Sequence, residues 1–168
     1  MYTGAVIDDE EHCLEVMGKM EEEYGKRNEG FFVKVIREEE SLVLRVHAVT
    51  ILAEIGGEAA VEVLSDVLLH DTDPLVKHEA AFSMGQMGLS SANPALEKAV
   101  LTDPDPVVRH ESAAALGAIG SQSSRATLEK ALKDGEDIVK NSAEASLFNL
   151  RFLARYSSLD RERMAPRP

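Results

Sequence analysis

The chain has 168 residues, 44% of them hydrophobic, with 18 Lys or Arg against 30 Asp or Glu and a net charge of −12. That length and apolar share suit one soluble domain with a substantial core, while the acidity disfavours nucleic acid and anionic membranes and makes a basic partner easier to accommodate. No stretch reaches the roughly 18 apolar residues of a membrane span, and the acidic opening lacks the regions of a secretory signal, so a cytoplasmic location is expected.

In chain order, Asp8 to Tyr24 reads as a highly charged helix that caps an open end, leaving residues 1–27 outside the repeats that follow. Glu29 to Glu38 then predicts a short helix paired with Leu42 to Gly56 (LVLRVHAVTILAEIG). The second of these strings recurs as Pro74 to Gly88 (PLVKHEAAFSMGQMG), Pro106 to Gly120 (PVVRHESAAALGAIG) and, more loosely, Asp137 to Leu150 (DIVKNSAEASLFNL). The equivalent basic residues Arg45, Lys77, Arg109 and Lys140 are separated by 32, 32 and 31 residues.

Each recurring segment is amphipathic at helical spacing: Val76, Ala80, Met84 and Met87 form one apolar stripe. Asp73-Pro74 and Asp105-Pro106 predict an N-cap followed by proline in the first turn. Gly56, Gly88 and Gly120 predict C-terminal stops. Between the segments, Glu58 to Leu69, Asn93 to Leu101 and Arg125 to Leu132 supply the partner helices. A helix pair cannot bury its own apolar face, so such units stack, and the expected fold is an all-α solenoid of about four two-helix repeats over residues 28–154. Residues 155–168 are expected to form a loose polar tail.

The residues after the basic position are His78-Glu79 and His110-Glu111 in the second and third repeats, Val46-His47 in the first and Asn141-Ser142 in the fourth. They lie about 200–300° round the helix from the core valine, and so face a groove or a neighbour. With a single cysteine, Cys13, any metal site must be built from His and carboxylates. One His-Glu pair cannot close around an ion, because adjacent residues diverge by about 100°. Equivalent helices about 8–10 Å apart, however, let two imidazoles meet at one ion. Two histidines and a carboxylate with open positions suit non-haem iron, and zinc fits the donors nearly as well; a solvated polar face repeated by duplication is the alternative. His47 is off register, His70 belongs to a turn or cap, and His12 and Cys13 lack a third ligand. Phe82 is placed either at the groove wall or in the core, and Met84 and Met87 in the core.

The pattern V-R-x-x-A-x-x-x-L-G-x-I-G resembles the HEAT-like repeat family, over about residues 28–153. The strings LVKHEAAFSMGQMG and DPDPVVRHESAAALGAIG further resemble the His-Glu motifs of deoxyhypusine hydroxylase, a HEAT-like enzyme with a two-iron centre; related motifs occur in phycobilin lyases. The resemblance implies His78, His110 and Glu111 as ligands of one iron, with Glu79 holding a polyamine-like substrate arm. It implies oxygen-dependent hydroxylation of a deoxyhypusine lysine on a translation factor. The family has about eight repeats and four motifs; this chain has four and two, so a two-iron centre implies a twofold homodimer. A non-catalytic scaffold that grips a partner protein, with zinc or no metal, is the competing expectation.

Overall fold

The computed structural model describes residues 10–164, with side-chain surroundings up to Tyr156. Eight α-helices occupy the described residues: α1 (Glu10–Gly25), α2 (Glu29–Glu38), α3 (Leu42–His70), α4 (Pro74–Met87), α5 (Asn93–Thr102), α6 (Pro106–Ile119), α7 (Arg125–Ala131) and α8 (Asp137–Met164). There is no strand among them, and no helix is long and apolar enough to cross a membrane.

The stacking follows from one register repeated four times. Leu44, Ala48 and Leu52 of α3 are buried, and so are Val76, Ala80 and Met84 of α4, Val108, Ser112 and Leu116 of α6, and Val139, Ala143 and Leu147 of α8. This i, i+4, i+8 stripe seats each of these helices on its shorter partner. Units pair α2 with 42–56 of α3, 58–70 of α3 with α4, α5 with α6, and α7 with α8. At the amino end α1 buries Val16 and Met20 against the first unit, and its His12 and Cys13 reach Glu39 (2.9 Å) and Ser41 (3.6 Å). Residues 8 and 9, also assigned to this helix from the sequence, lie outside the described residues.

The predicted caps form at Asp73 and Asp105, whose carboxylates each accept the N–H two residues on at 2.8 Å. Gly88 and Gly120 terminate α4 and α6 with φ of 67° and 74°. In the first repeat the break falls one residue later than expected: Gly57 takes the positive φ (53°) and kinks α3, while Gly56 stays helical with no room for a Cβ beside Ala60. The last long helix runs past residue 154 to Met164, so residues 155–164 of the expected polar tail continue α8, and residues 165–168 lie outside the described residues.

Two further devices join the units. In the first three units the basic residue of the repeated helix reaches an aspartate in the next unit's loop: Arg45 to Asp71, Lys77 to Asp103 at 2.8 Å, and Arg109 to Asp134 at 2.9 and 3.0 Å. Each of these aspartates also accepts a backbone N–H two residues ahead, which shapes its loop. The second device is close approach. A Cβ on Gly85 would lie 3.0 Å from Ala115, and one on Gly117 would lie 2.6 Å from Ser146 Cβ, so α4, α6 and α8 meet through small residues. In that register α8 carries Phe148, which is 67% exposed on the face no further unit covers among the described residues.

Candidate functional site

Helices α4 and α6 run side by side, and their matched register sets the His-Glu dipeptides at one height. His78 Nε2 on α4 lies 3.2 Å from Glu111 Oε2 on α6, and His110 Nε2 lies 3.9 Å from the same oxygen. Two of the sequence-predicted residues therefore approach one carboxylate oxygen of the third. They are recessed but open to solvent: His78, His110 and Glu111 retain 26%, 29% and 14% of their side-chain exposure.

The electrostatics of the two imidazoles differ. Pairing with Glu111 raises the pKa of His78 above its ordinary 6.5, against the opposing effect of burial. Its other nitrogen, Nδ1, is buried with no hydrogen-bond partner. His110, by contrast, has Nδ1 at 2.5 Å from Ser142 Oγ of α8. Neither the Ser142 contact nor the Thr50 contact described next follows from the sequence pattern, although Ser142 stands in the fourth unit where the third has Glu111.

Glu79, the neighbour of His78 in sequence, takes a hydrogen-bond partner outside the trio. Its Oε1 accepts a hydrogen bond from Thr50 Oγ1 at 2.9 Å. Two hollows meet at Thr50: one of about 320 Å³ lined by Met17, Val43, Val46, His47 and Leu75, and one of about 250 Å³ lined by Ala53, Glu54, Phe82, Gln86 and Met87. Phe82, 42% exposed, walls the second hollow, while Met84 is fully buried in the core and Met87 packs partly against it. His47 is exposed on the wall of the first. His70, the last residue of α3, pairs with Asp66 one turn back at 2.9 Å.

The donor set can be tested for a metal. Ligands about 2.1 Å from an ion at cis or tetrahedral angles stand roughly 3.0–3.4 Å apart. The His78–Glu111 separation meets this, and the His110–Glu111 separation of 3.9 Å is about half an ångström too long. As the side chains stand, no group of three or more His, Cys, Asp or Glu among the described residues is set to hold a metal ion. The donor chemistry, two imidazoles and a carboxylate, is of the kind that iron and zinc take.

The sequence profile of HEAT repeats matches residues 29–109 and 61–147. The chain belongs to the HEAT-repeat family. Among solved structures, this HEAT-repeat chain is similar to human deoxyhypusine hydroxylase in complex with glycerol, at 31% identity and a TM-score of 0.69. The match covers 75% of this chain and 44% of the human enzyme, so the HEAT-repeat solenoid spans less than half the length of that protein. No curated protein sequence matches the chain.

Proposed function

We propose that the protein is a cytoplasmic, metal-binding HEAT-repeat protein of the deoxyhypusine hydroxylase type that hydroxylates a deoxyhypusine lysine on a translation factor as a homodimer. The observation that carries this reading is the approach of His78 Nε2 and His110 Nε2, from adjacent helices, to the single oxygen Oε2 of Glu111. Similarity to the human hydroxylase at 31% identity supports the same direction.

In this reading His78, His110 and Glu111 hold one iron, which supplies oxygen activation when bound. The chain's own residues do the rest. Glu79, held by Thr50, attracts the cationic substrate arm, and the apolar hollows on either side of Thr50 take its alkyl portion. The net charge of −12 favours approach of a basic protein. Because the chain spans 44% of the human enzyme, a twofold pair would set a second copy of the trio opposite the first.

The test is metal content measured together with mass in solution, on the unaltered chain and on His78→Ala and His110→Ala. About one iron per chain in a dimer, lost in both variants, is the expected result; a folded, metal-free monomer unaffected by either change removes the reading.

A second reading has its own support. The His78–Glu111 contact at 3.2 Å forms without a metal, and the trio as it stands is not a ligand cage. A non-catalytic scaffold that binds a partner protein through the same groove predicts that Ala at His78 and His110 leaves partner binding intact.

A further inference from the structure

The outer edge of one imidazole carries a contact that the metal reading does not require. Between α8 and α6, three α8 side chains spaced by about a turn reach across in succession. Ser142 Oγ meets His110 Nδ1 at 2.5 Å, Ser146 Oγ donates to the Ala113 carbonyl at 2.8 Å, and Asn149 Nδ2 donates to the Gly117 carbonyl at 2.8 Å. The last two grip backbone, beside the close approach at Gly117, and hold the helices at fixed separation. Only Ser142 grips a side chain, and that side chain is a proposed ligand.

A neutral imidazole has one protonated nitrogen and one lone pair, and a hydroxyl can accept from the first or donate to the second. If Ser142 donated, the proton of His110 would sit on Nε2, whose neighbour Glu111 Oε2 is 3.9 Å away, beyond hydrogen-bond reach. If Ser142 accepts, the short contact satisfies Nδ1–H and Nε2 keeps its lone pair. His78 has no such partner: its Nδ1 is buried and unpaired.

We propose that Ser142 is a positioning residue, whose hydroxyl accepts the Nδ1 proton of His110, selects the tautomer with an unprotonated Nε2 and aims that lone pair at the space shared with His78 and Glu111. Its consequence for a metal rests on the metal-binding reading above. Outer partners of this kind orient ligating histidines, and their loss weakens metal binding about 10–100-fold.

The test has two arms on the full chain. Long-range ¹H–¹⁵N spectra of the metal-free protein report which nitrogen of His110 carries the proton, and Co(II) titration followed by its visible absorbance reports affinity. Expected are an Nδ1-protonated His110 in the unaltered chain, loss of that preference with about tenfold or more weaker Co(II) binding in Ser142→Ala, and recovery of both in Ser142→Thr. In the metal-free chains, His78 resonances stay unchanged between the unaltered protein and the variants. A His110 protonated on Nε2 in the unaltered chain, or a Ser142→Ala chain with the same tautomer and affinity, overturns the proposal. If the unaltered chain takes up no Co(II) while His110 remains Nδ1-protonated, the metal reading fails and the orienting contact stands.

Discussion

His78 and Glu111, 33 residues apart, meet at 3.2 Å because equivalent positions on α4 and α6 are stacked at one height. Glu111 is the main cause of the raised His78 pKa, with burial acting against it. The sign follows: a raised folded-state pKa contributes stability in full below the ordinary value of 6.5 and loses it as pH rises through the folded value. In metal-free protein, ring titration by NMR should place the His78 midpoint above 6.5, and Glu111→Gln should bring it down. An unchanged midpoint in that variant would show that Glu111 is not the cause.

Gly117→Ala should destabilise the chain by about 1–3 kcal/mol, because the new methyl would sit 2.6 Å from Ser146 Cβ and 2.9 Å from its backbone Cα, and neither can yield without moving α8. Denaturant unfolding measures the loss. The same change should broaden the His110 signals, since Ser142 rides on α8.

Asp134 accepts two hydrogen bonds from Arg109 and one from the backbone of Glu136. Arg109 is the chief reason its pKa falls below the ordinary 3.8. Its stabilising effect is therefore present above about pH 4 and disappears as pH drops through the lowered folded value. Asp134→Asn should cost about 2 kcal/mol at neutral pH. It should also flatten the acid limb of a stability-against-pH curve; identical acid limbs in the two proteins would contradict the assignment.

Asp105→Ala removes the acceptor for the Val107 N–H at the start of α6 and should cost about 1 kcal/mol of unfolding free energy. Asp105→Asn should recover most of it, because an amide oxygen caps equally well.

Glu79→Gln separates two roles within the proposed function. It should leave iron content unchanged, since the Glu79 carboxylate accepts from Thr50, while turnover or binding of a cationic substrate peptide falls by about tenfold or more. Loss of iron in this variant would place Glu79 among the ligands instead.

The sequence by itself determined the solenoid. Burial stripes such as Val76, Ala80 and Met84, aspartate caps before Pro74 and Pro106, and glycine ends at 88 and 120 are local signals, each written within about one turn of helix, and the structure repeats them in register. The 32-residue spacing also showed that His78 and His110 share a height. Tertiary structure alone decided what those side chains touch. That Glu111 serves as the shared neighbour, that Ser142 meets Nδ1 rather than Nε2, that Thr50 takes Glu79, and that Arg45, Lys77 and Arg109 reach aspartates in the next loop all depend on the distance and twist between stacked units. Among α4, α6 and α8 those quantities depend on how closely Gly85 and Gly117 let neighbouring helices approach, a property of two surfaces packed together that no single helix encodes.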